Sequence, residues 1–288
     1  DGCFTNMRAI KLATSTWKPN DPSHGYKALV IFIHGYSVYS RFFEQIAREL
    51  VQEGILVKAM DLVGHGKSES FRNMRGYLMF DECVEDILKF IDISFEELKG
   101  VETPTFLYGE SFGGALCVTQ STQTDKLDGL LISGGGLKVA SDIRPSDLML
   151  SGLTFISNFF PYVRVPGPHV QKTFREAFGD EEFVEKALKD PLIIFERLRL
   201  RCGCSIFNGI EDLKSLFPRI TVPLYVLHGT EDVRTPIEGA IALYDNASSV
   251  DKTLEKLEGM KHQLLQDKPE KTAKYIGLVT TWIIKRIR

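Results

Sequence analysis

Short apolar runs ending in a turn recur along the chain, and between them apolar positions fall at helical spacing. The runs are 27–33 into His34-Gly35, 55–60 into Asp61, 105–108 into Gly109, 129–133 into three glycines, and 224–227 into His228-Gly229. They are too continuously apolar to be half-exposed, so they read as parallel strands covered on both faces. A last strand is expected over 253–257. Helices are expected at about 39–52, 81–99, 113–123, 237–244 and 270–287. Strand and helix in alternation predict an α/β chain with a mostly parallel, doubly wound sheet.

One stretch breaks this rhythm. From Lys138 to Phe217 no strand is legible, only helical pieces with Pro and Gly between them. Leu148, Gly152, Phe155, Ile156, Phe159 and Phe160 share one helical face. Two readings stay open: a helix buried in the core, or an inserted helical cap that shields an apolar pocket. Position between two strands favours the cap, dividing the chain into a core of 1–137 and 218–288 and a cap of 138–217. On that division Phe155, Ile156, Phe159 and Phe160 are candidate pocket residues, or a face that docks on a lipid surface.

Composition narrows the function classes. The 288 residues are 43% hydrophobic and 25% charged, with net charge -3. That is ordinary globular usage with no basic stripe for nucleic acid. The five cysteines are scattered, with no disulfide framework and no zinc-like spacing, so a reducing compartment is the simpler reading. No run reaches the roughly 18 apolar residues of a membrane span. The expected location is cytoplasmic, with peripheral contact at membranes. The chain starts at Asp1 rather than Met, so the natural start is expected to lie upstream, and a targeting segment there stays open.

Chemistry centres on Gly109-Glu110-Ser111-Phe112-Gly113. A bare G-x-S-x-G is weak and can be an ordinary turn. Here it follows an apolar strand and opens a helical pattern, the context of a nucleophile elbow. A serine hydroxyl needs an adjacent base, and in this arrangement the partners follow in the order serine, acid, histidine. After Ser111 come His169, His228 and His262. His169 falls in the cap stretch, and His228 precedes any well-placed acid. His262 follows the last expected strand and is the expected base, against the plainer reading of a loop histidine. Asp232 and Glu231 both follow the 224–227 strand. Asp232 is expected to orient the imidazole, because its shorter side chain holds it more firmly. Backbone N–H groups of Tyr36 and Phe112 are the expected oxyanion donors. Asp61 and His65 precede the serine and read as structural. The Gly134-Gly135-Gly136 run lacks the spacing of a phosphate-binding loop.

H-G-Y at 34–36, D-L-x-G-H-G-x-S at 61–68, G-E-S-F-G-G at 109–114, D-P-L at 190–192, H-G-T-E-D at 228–232 and G-M-K-H at 259–262 together resemble the monoacylglycerol lipase/lysophospholipase group of α/β hydrolases, of the serine aminopeptidase S33 type. Glu110 and Tyr36 resemble plant-type members, some of them caffeoylshikimate esterases. Animal-type members read G-H-S-M-G-G, and registered on D-P-L their glycerol-facing cap tyrosine falls at Ala187. The resemblance implies an α/β-hydrolase fold with a helical cap, no cofactor and no metal, and ester hydrolysis through an acyl-enzyme. It leaves two substrate classes, a lipid monoester or a small aromatic acyl ester. A third reading, from another class, is a ligand receptor on a hydrolase frame. Oligomeric state is not legible.

Overall fold

The computed structural model describes residues 1–20, 25–98, 100–140, 144–165 and 170–287. Expectations involving Lys99 and His169 lie outside the described residues. Each continuously apolar run forms a strand, β3 (Ala28–Ile33), β4 (Ile55–Met60), β5 (Thr105–Glu110), β6 (Gly129–Ser133) and β7 (Leu224–Gly229), and the expected last strand forms as the more polar β8 (Lys252–Leu257). Two strands precede them, β1 (Gly2–Thr5) and β2 (Lys11–Trp17), which the apolar pattern does not reveal. β1 is the edge strand and β2 lies between it and β4; both are exposed or half-buried over most of their length, so their residues alternate or stay polar. The sheet runs β1-β2-β4-β3-β5-β6-β7-β8, parallel from β4 to β8 and antiparallel at β1–β2 and β2–β4.

Helices α1 (Glu44–Gln52), α2 (Phe80–Glu96), α3 (Phe112–Ser121), α8 (Ile237–Asn246) and α9 (Pro269–Ile284) match the expected helical stretches. They cover the sheet from both sides. On β3, Leu29, Ile31 and Ile33 face a core shared with Ile87, Phe90, Leu116 and Leu243. The alternate residues Ala28, Val30 and Phe32 face a core shared with Ile46, Leu50, Tyr275 and Val279. A buried strand therefore shows no polar period, which is why β3 to β7 were legible.

After β3 the chain moves to β4 on one side, and β5 returns to the other side of β3. Such a reversal opens a crevice at the carboxyl ends of the strands, where α/β sheets bind ligands. Ser111 stands at the end of β5 and Tyr36 just past the end of β3, at this reversal.

Between β6 and β7 the chain forms α4 (Asp147–Ser157), α5 (Val170–Glu176), α6 (Glu181–Ala187) and α7 (Leu200–Asp212). Helix α7 is fastened to the core: the Ser205 hydroxyl accepts the Phe80 N–H (2.8 Å), and a Cβ on Gly209 would strike the Phe80 ring at 2.3 Å. Residues of α5 and α6 close a separate apolar cluster with Val38 and Phe42. Helix α4 packs on α7, and its one buried residue is Ser157. The reading of this segment as a buried core helix is thereby overturned. Its apolar residues turn outward instead: Leu148 is 85% exposed, Phe155 65% and Phe159 66%. No helix among the described residues is long and apolar enough to cross a membrane.

Candidate active site

The turn from β5 to α3 holds Ser111 at φ 54°, ψ -120°, a strained conformation for a residue with a side chain. Neighbouring backbone fixes it there. The Ser111 N–H donates to the Ser133 carbonyl (3.0 Å), and the Ser111 carbonyl accepts from Gly136 (2.8 Å) and Gly114 (2.9 Å). The elbow also needs its glycines. A Cβ on Gly113 would lie 2.2 Å from the Ile33 carbonyl oxygen, and one on Gly109 would lie 2.5 Å from the Gly113 carbonyl oxygen. Only a bare backbone lets β3, β5 and α3 approach this closely.

The structure brings the three expected side chains together. His262, in the loop after β8, lies with Nε2 2.9 Å from Ser111 Oγ and Nδ1 2.8 Å from Asp232 Oδ2. A carboxylate can only accept, so Nδ1 carries the proton and Nε2 is left to accept from the serine hydroxyl. Asp232 lies in the turn after β7 with its side chain fully buried. Burial acts to raise its pKa, but hydrogen bonds from His262 and Thr235 outweigh this and bring it to about 2. The competing Glu231 is exposed, and the Nδ1 position of the imidazole is taken by Asp232.

Thr235 is a member of this constellation that the sequence did not announce. Its hydroxyl donates to Asp232 Oδ2 (2.7 Å), while Asp232 Oδ1 accepts the N–H groups of Arg234 (2.7 Å) and Thr235 (3.0 Å). An aspartate followed two and three residues on by N–H donors is an Asx-type turn, and D-V-R-T could have signalled it. His228 lies behind the acid, with Nε2 3.1 Å from the Thr235 carbonyl oxygen and 3.3 Å from Asp232 Oδ2. Burial lowers its pKa, so it stands as a neutral donor. Gly134, at φ +50°, passes under the base: a Cβ there would be 2.9 Å from the His262 carbonyl oxygen. The glycine run after β6 thus serves close packing.

Tyr36 follows Gly35, where an added Cβ would meet Ser111 Cβ at 2.9 Å, so this loop lies directly on Ser111. Among the described residues the backbone N–H groups of Tyr36 and Phe112 donate to no protein acceptor. The Tyr36 hydroxyl donates to the Gly76 carbonyl (2.7 Å), and its ring stands edge-on to His65. His34 accepts the Leu62 N–H at Nε2 (2.9 Å), and Asp61 accepts the N–H groups of Ser40 and Lys67. His65 is fully buried, and burial brings its pKa to about 3. These three groups brace the Tyr36 loop.

The cap residues require a correction. Phe155, Ile156, Phe159 and Phe160 are 65%, 46%, 66% and 60% exposed. Phe155 and Ile156 lie on the outward side of α4 and Phe159 and Phe160 just beyond its end, open to solvent rather than enclosed by the fold. Among the described residues no group of three or more His, Cys, Asp or Glu side chains is arranged to hold a metal ion.

Residues 24–269 match the Hydrolase_4 family, described as serine aminopeptidase, S33. The human monoglyceride lipase is 28% identical over 270 residues, covering 94% of this chain and 86% of the relative. The caffeoylshikimate esterase of Arabidopsis thaliana is 29% identical over 303 residues, covering 96% and 83%. The crystal structure of the Paleococcus ferrophilus monoacylglycerol lipase superposes with a TM-score of 0.80 at 26% identity, covering 96% of this chain and 99% of that one. A strained serine at a strand–helix elbow, and a family match across most of its length, have one conclusion: the chain belongs to the serine aminopeptidase S33 family of α/β hydrolases.

Proposed function

We propose that the protein is a serine carboxylic-ester hydrolase that cleaves a lipid monoester, a monoacylglycerol or lysophospholipid, through an acyl-enzyme. The observation that carries this is the hydrogen-bonded chain Ser111–His262–Asp232 beneath two backbone N–H groups without protein acceptors. Ser111 Oγ attacks the ester carbonyl as its proton passes to His262 Nε2. The N–H groups of Tyr36 and Phe112 hold the oxyanion, and the first turn of α3 adds its positive dipole end. The imidazolium, paired with Asp232, then gives its proton to the departing alcohol. Water repeats the sequence on the acyl-enzyme, releasing the acid and restoring the serine.

The segment 138–217 is taken as a cap over this crevice. Its outward face of Leu148, Phe155, Phe159 and Phe160 has the chemistry of a surface that rests on lipid, so substrate enters without crossing water. The relatives named monoglyceride lipases support the lipid class. The similarity to a caffeoylshikimate esterase supports a second reading, hydrolysis of small aromatic acyl esters. A panel of monoacylglycerols, lysophospholipids and cinnamoyl-type esters, with Ser111→Ala as blank, separates them. Rising kcat/KM with acyl length is expected; preference for cinnamoyl esters overturns the lipid reading, and no hydrolysis of any ester overturns both.

A further inference from the structure

The turn 190–194, just after α6, grips the loop that carries Tyr36 at two points. The Tyr39 hydroxyl donates to Asp190 Oδ2 (2.6 Å), and the Ile194 N–H donates to the Ser37 carbonyl (3.0 Å). Asp190 also shapes the turn itself. Its Oδ1 accepts the Leu192 N–H (2.8 Å), and its carbonyl accepts the Ile193 N–H (3.3 Å). Arg75 fastens the turn to the stretch before α2, its guanidinium donating to the carbonyls of Pro191 and Leu192. The next residue, Gly76, accepts the Tyr36 hydroxyl, and a Cβ added there would come within 3.2 Å of Ile194 Cγ2. His34 and Asp61 fix the loop at its two ends, through Leu62 and Ser40. Its middle is bonded to 190–194.

The backbone held in this way is strained. Ser37, directly after Tyr36, has φ +78°, in the left-handed region that residues with side chains avoid. Such a conformation persists only where the surroundings over-determine it. Released from the turn, Ser37 relaxes toward negative φ, and the peptide units around it rotate with the Tyr36 N–H one residue away. We propose that Asp190 is a positioning residue for ester hydrolysis: through the 190–194 turn, Tyr39 and Ser37 it keeps the Tyr36 N–H aimed at the developing oxyanion. The inference rests on the ester-hydrolase reading, in which that N–H is one of two donors. Asp190 exchanges no proton with substrate; it acts only through the loop.

The test sets Tyr39→Phe, Asp190→Ala and Asp190→Asn beside the wild type. The first two delete the bond between the hydroxyl and the carboxylate. Asparagine keeps both side-chain bonds, because its oxygen accepts from Leu192 and its amide donates to the Tyr39 hydroxyl. Sites are counted by complete labelling with a fluorophosphonate, and rates on a short-chain p-nitrophenyl ester are taken per labelled serine. Loss of a whole oxyanion donor costs about 10²–10³ in kcat, so a displaced one costs less. Tyr39→Phe and Asp190→Ala should lower kcat roughly tenfold with KM within about twofold, and Asp190→Asn should recover most of the loss. A trifluoromethyl ketone, whose hemiketal oxygen takes the oxyanion position, should bind about tenfold more weakly to the first two. The corresponding alcohol, which forms no adduct, should bind within about twofold of wild type. Wild-type kcat in both variants overturns the proposal. So does equal weakening of ketone and alcohol, or of neither, which marks a general structural role. If Asp190→Ala does not fold, Tyr39→Phe decides by the same readouts. A wild type that labels but hydrolyses no ester overturns the function reading instead, and the rates of labelling, which need the same donors, then decide this one.

Discussion

The strand ends and helix α4 are built on opposite plans. At the strand ends the hydrogen-bonded groups are tied by several bonds: the Ser111 backbone by four, the Asp232 carboxylate by His262, Thr235 and two N–H groups. Helix α4 has one buried residue and a face of large apolar side chains in the open. The first region fixes angles and distances to within what a proton transfer tolerates. The second fixes little and carries the chemical character of whatever it meets. Tight hydrogen-bonded geometry and open apolar surface thereby lie in separate parts of one chain.

The sharpest way to break that separation is at the nucleophile. Ser111→Ala or His262→Ala should lower turnover on the order of a million-fold, and Asp232→Ala about ten-thousand-fold, on soluble and lipid esters alike. Near-normal hydrolysis of a long-chain ester by Ser111→Ala, measured by acid release, would remove the strand ends from the chemistry. Thr235→Val keeps the shape and deletes one donor to Asp232. A fall of roughly tenfold in kcat with little change in KM is expected, since one hydrogen bond to a charged group is worth about 1.5–3 kcal/mol before the remaining donors compensate. On the cap, Phe159→Asp should leave hydrolysis of a dissolved short-chain ester unchanged and reduce both vesicle co-sedimentation and activity on vesicles several-fold. Unchanged vesicle binding would refute the docking role of α4.

The smallest effect is on stability, and its sign follows from Glu110. Burial pushes its carboxyl up to about 7 in the folded chain against 4.5 when unfolded. Below pH 4.5 both states are protonated and the group contributes nothing. As pH rises toward 7 the unfolded chain gives up the proton and the folded chain keeps it, so stability falls. Above 7 the loss is complete, about 3 kcal/mol. Between pH 4 and pH 8, denaturant unfolding of Glu110→Gln should therefore lose about 3 kcal/mol less than the wild type does.

What the sequence made legible follows from burial. Strands buried on both faces, 28–33 or 224–229, announce themselves as apolar runs, and a serine, an acid and a histidine just past three strand ends can be paired by chain order alone. Strands β1 and β2, the last two on one side of the sheet, have mostly exposed or half-buried residues, and K-L-A-T-S-T-W reads as nothing in particular. The apolar stripe of α4 was visible, but a stripe does not say which way it faces. The close packing at Gly134 and the burial of Glu110 depend on neighbours far away in sequence, so no local pattern encodes them.

Strand β8 holds the base from the margin of the sheet, bonded to β7 on one side only and half-exposed along most of its length. The imidazole is thus hung from the least anchored strand of the parallel stack, while the serine is set in its middle. On warming, fraying of this rim would carry His262 out of reach before the interior loosens. Heat should silence the protein some degrees before it melts it, and cooling from that interval should restore full activity.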